Sequence, residues 1–157
     1  PAALRDQLKR FLDWGETHAD FDRVISGIPT DQRGTVPNGL PHSAWQILEH
    51  LRIALADIHL FSIDPDYKER AWPDDYWPAA APPSPSAWDD CVEAYRRDLD
   101  RMRGVIHDQP DLLAPIPHGT DPRQTYLRAA LLVGDHAAYH LGQLVLIRRL
   151  LGIWPGA

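Results

Sequence analysis

Apolar residues recur along this chain at the three- and four-residue intervals of a helix face, in four stretches set apart by segments rich in Pro, Gly and Asp. No stretch alternates apolar and polar residues as a half-buried strand would, so the pattern predicts an all-α fold. The first helix is expected over roughly residues 2–28. Leu4, Phe11, His18 and Ile25 fall seven residues apart there, and Trp14, Phe21 and Ile28 follow the last three of them by three positions. That spacing puts His18 in an apolar seam. The second helix is expected from Ser43, where Ser43 and Gln46 fit a capping box, to about Ser62. Ile47, Leu51, Ala54, Ile58 and Phe61 form its stripe, and His50 borders it.

The third helix is expected from about Ser86 to His107, with Trp88, Val92, Tyr95, Leu99, Met102 and Ile106 at helical spacing. Cys91 lies on the same side and reads as a core residue, not a nucleophile. The fourth is expected to begin near Asp121 and Pro122, an N-cap followed by proline in the first turn, and to stop at Gly152. Its expected inward stripe is Ala129, Leu132, His136, His140, Gln143, Ile147 and Leu150.

Between the second and third helices lies a connection over roughly residues 63–86, rich in Pro and carrying Trp72, Tyr76 and Trp77. A helix of about 20 residues is about 30 Å long, so a connection of this size can run the length of a bundle and set helices two and three parallel. Its aromatics argue for an ordered, packed crossover over a disordered linker.

Composition narrows the class. A chain of 157 residues with 44% hydrophobic content has the size and apolar material for one soluble globular domain, expected over residues 1–157. One cysteine permits neither an intramolecular disulfide nor a cysteine-based zinc knuckle, so any metal must be held by nitrogen and oxygen. The formal net charge of −6 argues against a nucleic-acid partner. Local basic groups remain, namely Arg148 with Arg149 and the run Arg96, Arg97, Arg101 and Arg103, and these read as solvated helix faces. No apolar run of the membrane-spanning kind and no signal segment is evident, so a cytoplasmic protein without a membrane partner is the expectation.

The candidate chemistry lies in the histidines. His136 and His140 are four residues apart, on one face of a helix, where two imidazoles can converge on one ion. His50 sits mid-way along helix two and can meet them in the bundle interior. Three neutral nitrogens leave coordination positions open for water or substrate, as in catalytic sites. Zinc, nickel, manganese and iron all accept imidazole. Asp57, seven residues after His50, is a candidate to orient a ligand, act as a base or become a fourth ligand. An ion pair is its plainer role. Gln143, one turn after His140, is a candidate to bond a ligand or substrate. His18 is a candidate to line the pocket, set against a satisfied core role. Trp72, Tyr76 and Trp77 either roof the pocket or simply pack the crossover. Gly142, in mid-helix, suggests close approach of another helix. His42, His59, His107 and His118 fall near helix ends and read as surface residues.

His50 within Gln46 to Leu51, together with the H-x-x-x-H-x-G-Q run from His136 to Gln143, resembles the DinB-like superfamily, also called the YfiT-like metal-dependent enzymes. The resemblance spans nearly the whole chain. It implies a four-helix bundle of up-down-down-up type with a long crossover between helices 2 and 3. It also implies a metal triad of His50, His136 and His140, and a homodimer. The reaction classes it implies are thiol-dependent S-transfer, with a low-molecular-weight thiol cosubstrate, or isomerisation of the kind a mycothiol-dependent maleylpyruvate isomerase performs. Taken with the open triad, the leading expectation is a metal-dependent transferase or hydrolase in which a divalent ion activates water or a thiol toward a small-molecule substrate. The competing expectation is a non-catalytic dimeric helical bundle whose metal site is structural or vestigial.

Overall fold

Residues 2–155 are described by the structure, a computed structural model; Pro1, Gly156 and Ala157, which the expected domain includes, lie outside the described residues. Five α-helices form: α1 (Ala2–Phe11), α2 (Phe21–Ile25), α3 (Ala44–Ile63), α4 (Ala87–Asp108) and α5 (Tyr126–Leu150), with short 3-10 turns at Thr30–Gln32 and Asp74–Tyr76. Among the described residues there is no strand, only an isolated antiparallel bridge between Pro115 and Thr125. α3 packs against α4 and α5, and one contiguous core draws on all five helices.

Two of the expected helices form close to their expected bounds. Ser43 caps α3 with the full capping box, its hydroxyl accepting from the Gln46 N–H at 3.2 Å while Gln46 Oε1 accepts from the Ser43 N–H at 3.1 Å. α4 follows Ser86, although the Ser86 side chain makes no capping bond. Cys91 is buried on the inner face of α4, and burial beside Glu49 pushes its thiol pKa up, away from nucleophilic use.

The first expected helix is broken into two. Gly15 lets the chain fold tightly over Asp20, whose side chain a Cβ on Gly15 would meet at 2.9 Å. Asp20 then opens a new helix, its carboxylate accepting from the Arg23 N–H at 2.8 Å. His18 falls in the exposed connection between α1 and α2, outside any apolar seam, and Leu4 is exposed as well.

The last helix also starts later than expected. Thr125, not Asp121, is its N-cap, accepting from the Arg128 N–H at 3.2 Å, while Asp121 accepts from the Arg123 N–H at 2.8 Å within the preceding turn. Its end is as expected. Gly152, at φ 71°, allows Ile153 N–H to reach Arg148 O at 2.9 Å and Gly152 N–H to reach Arg149 O at 3.1 Å, a Schellman ending.

The buried arc of α5 is rotated from the expected stripe by most of one residue. Ala129, His140 and Ile147 of that stripe are buried as expected, but Ala130, Val133, Ala137, Leu141 and Leu144 are buried as well, whereas Leu132 and Leu150 are exposed. The cause is packing by α1 and α2 on that side. Gly134 lies directly under the Phe11 ring, which a Cβ would strike, whereas a Cβ on Gly142 would meet nothing within 4 Å. The close approach expected at Gly142 therefore occurs at Gly134.

By length and mean apolarity α5 is the one helix among the described residues that could cross a membrane, although Asp135, His136, His140 and Gln143 interrupt it and it has no unbroken apolar run of that length. Part of that apolar surface is the arc that faces the other helices.

Arg148, expected on a solvated face, is 1% exposed. Its guanidinium donates to Arg23 O at 3.2 Å, Val24 O at 2.5 Å and Ile153 O at 3.2 Å, and lies over the Trp154 ring. It thereby fills the carbonyl end of α2 and ties it to the end of α5. Arg96, Arg101 and Arg103 do lie outside the core, paired with Asp22, Asp98 and Asp100.

Two predictions follow from this packing. Arg148→Ala removes the partner of one buried and two part-buried carbonyls and should lower the unfolding free energy by about 1–3 kcal/mol in urea titration. Gly134→Ala should destabilise by about 1–3 kcal/mol through overpacking against Phe11. Gly142→Ala should be neutral or stabilising by up to about 1 kcal/mol, so equal effects at the two glycines would refute this account of α5.

Candidate metal centre

α3 and α5 each deliver histidine from a rigid helix. One ring nitrogen from each of His50, His136 and His140 lies within 4.8 Å of the other two, and Nε2 of His50 is 3.1 Å from Nε2 of His136. Nitrogens at about 2.0–2.1 Å from a tetrahedral ion stand about 3.3 Å apart, so this spacing fits a shared metal. His50 and His140 are buried and His136 is half-buried, at the border of the buried arc of α5.

The outer nitrogens orient the inner ones. His50 Nδ1 is 3.0 Å from the Tyr76 carbonyl, which can only accept, so Nδ1 carries the proton and Nε2 presents a lone pair. His140 Nδ1 donates to Gln143 Oε1 at 2.7 Å, with the same consequence. Two lone pairs aimed inward, toward a third imidazole, suit a cation better than they suit one another. Gln143 is thus a residue that orients His140.

The crossover closes over His50. The Trp77 indole stacks on the His50 ring at 3.9 Å between centroids and 4°, and on the His42 ring at 3.8 Å and 6°. Gln46 donates to Pro78 O at 2.9 Å and Ser43 to Ala80 O at 2.5 Å, docking this segment on the start of α3. Trp72 is 70% exposed and touches only the edge of the roof, through Tyr76.

Asp57 is buried but lies outside the histidine cluster. Its two oxygens accept from the hydroxyls of Tyr67 at 3.0 Å and Tyr76 at 2.7 Å, and Arg70 stands 3.7 Å away. Burial, reinforced by this carboxylate, pushes the Tyr67 phenol up to about 12 and raises that of Tyr76, so both stay donors. Asp57 therefore reaches the triad through Tyr76, whose carbonyl holds His50. It also lines a cleft of about 460 Å³ between α3 and α5, with Phe61, Tyr67, His118 and Arg128 among its walls.

His18 is not brought to the triad. Its ring bonds Ala19 O at 3.0 Å, and it borders a small surface crevice with Phe11 and Trp14. The structure corrects the expected surface set as well. His59 is buried, His118 donates to Phe61 O at 2.6 Å, and His42 belongs to the stack beside the triad. Only His107 is fully exposed among the four. His42 was missed because its partner is about 35 residues away in sequence; its place one residue before the cap of α3 was the available signal.

Burial keeps the triad neutral. It is the main cause that lowers His136 to about 3, aided by His140 and His50, and the main cause that lowers His140 to about 4 against the Gln143 bond. His50 is lowered too, burial outweighing the Tyr76 carbonyl.

A helical protein carrying a three-histidine group of metal-binding geometry is the class these features define. Residues 13–144 match the DinB superfamily, and the chain belongs to it. No curated protein and no solved structure matches the chain.

The lowered values carry a sign. An unfolded histidine takes up protons below about pH 6.5, while folded His140 does not until about pH 4 and folded His136 not until about pH 3. The unfolded chain then binds more protons, so the metal-free protein loses stability as pH falls through that window. Thermal unfolding from pH 7 to pH 4 should show a declining Tm, and His136→Gln should flatten the decline; an unchanged slope would remove these rings as its cause.

Proposed function

We propose that this protein is a metal-dependent enzyme in which His50, His136 and His140 hold a divalent ion, zinc, nickel, manganese or iron, with a position left for water or a thiol cosubstrate. The convergence of three neutral ring nitrogens within 4.8 Å carries the reading. Membership of the DinB superfamily supports it. The ion, when bound, supplies a Lewis-acidic centre that lowers the pKa of water or a thiol toward neutrality.

The chain's own residues do the rest. Gln143 and the Tyr76 carbonyl keep the lone pairs of His140 and His50 inward. Asp57, saturated by two phenols, acts as a positioning group for Tyr76 and not as a proton acceptor. The cleft beside Asp57, with the aromatic walls Phe61 and Tyr67 and Arg128 at its edge, has room for the organic body of a small substrate or thiol. S-transfer and hydrolysis are the reaction types this arrangement serves. The proposal includes an up-down-down-up arrangement of the four long helices and a homodimer. The outer face of α5, where Leu131 and Leu146 are exposed beside Ala138 and Gly142, is a suitable contact.

Protein purified without a histidine tag should contain, or take up, about one divalent ion per chain, and His140→Ala should lose it while remaining folded. Metal-loaded protein screened against thiols with electrophiles should then reveal the transfer. A parent protein that binds no metal, together with a fully stable His140→Ala variant, would defeat the proposal.

A further inference from the structure

We infer that Trp77 is a positioning residue of the metal centre: clamped between His42 and His50, it sets the plane in which the His50 ring meets the other two histidines. The inference rests on the metal-dependent reading above.

The His42 and His50 centroids lie 3.8 and 3.9 Å from the same indole and nearly parallel to it. Two coplanar rings at those distances on one face would overlap, so they occupy opposite faces. His50 is therefore gripped at two places. The Tyr76 carbonyl holds Nδ1 at 3.0 Å, but a single hydrogen bond tolerates a range of angles and so leaves the ring some rotation about its Cβ–Cγ bond. The χ2 torsion of histidine is broad and does not prevent that rotation. The flat indole does. With Nδ1 pinned and the plane set, the remaining lone pair has one direction, toward His136 Nε2 at 3.1 Å.

The indole is itself held from behind. No hydrogen bond fixes the His42 ring at Nδ1, which is buried without a partner, so stacking on Trp77 is the contact that accounts for its place. On either side of Trp77 the chain is anchored to α3, by Tyr76 to Asp57 at 2.7 Å and by Gln46 to Pro78 at 2.9 Å. His140 meets the indole at 6.1 Å and 71°, so the same ring also bounds the second ligand. A residue that only filled the core would need neither the parallel geometry nor the second stacked ring.

The test is a Co(II) titration of the full chain followed by visible absorption, with thermal unfolding of each metal-free variant in parallel. Trp77→Leu, which keeps apolar bulk but removes the flat face, should bind Co(II) about 10–100-fold more weakly and with an altered absorption band. Trp77→Phe, which restores a flat ring, should bind within about 3-fold of the parent, and His42→Leu should fall between the two. A Trp77→Leu protein with parental affinity and spectrum overturns the inference alone, as does a Trp77→Phe protein as weak as Trp77→Leu. A parent that takes up no Co(II) overturns the metal-dependent reading and this inference together. If Trp77→Leu does not fold, the comparison of Trp77→Phe with His42→Leu decides: equal, parental binding by both overturns the role of the stack.

Discussion

A buried imidazole has two nitrogens, and each must find a partner or the ring costs more than it contributes. The outer nitrogens of His50 and His140 are satisfied by Tyr76 O and Gln143 Oε1, so two inward lone pairs face the single N–H that a neutral His136 can offer, its Nε2 being 3.1 Å from that of His50. A cation resolves the conflict, since it accepts every lone pair at once. The placement of α3 against α5, the docking of the crossover and the burial that keeps the rings neutral all serve that one requirement.

The crossover shows how a connection becomes part of a site. Its contacts with the histidines are concentrated at Tyr76 and Trp77, where a backbone carbonyl and an indole face grip the same ring. Asp57 stands behind this arrangement. With both oxygens engaged by phenols it ties the segment to α3, and it also lines the neighbouring cleft.

The triad was legible because helical periodicity acts over short range: His136 and His140 declare a shared face from four residues of sequence, and the place of His50 mid-way along its own helix made it their candidate partner. The capping box of α3 and the glycine ending of α5 were legible for the same local reason. What was not legible depends on tertiary contact. The Tyr76 carbonyl carries no side-chain signature, and His42 joins the stack only because the crossover folds back on α3. One misreading concealed another. In a first helix running unbroken over 2–28 the carbonyls of Arg23 and Val24 are bonded within the helix, so Arg148 had no visible reason to be buried; because α2 ends at Ile25, those carbonyls are free of helical bonds and the guanidinium takes them.

The rotation of α5 matters most for chemistry. Had the expected stripe faced the core, His136 and His140 would lie at its centre, sealed by apolar neighbours as a closed structural site is. Packing by Phe11 on Gly134 turns the helix so that the buried arc runs through Val133, Ala137, Leu141 and Leu144, and His136 comes to the border of that arc, half-buried. A border position reconciles two demands that conflict at the centre: enough burial to hold the imidazoles neutral, and nearness to solvent for a small molecule to arrive. The contact of α1 with α5 therefore bears on the exposure of the histidine group, although Phe11 touches none of its members.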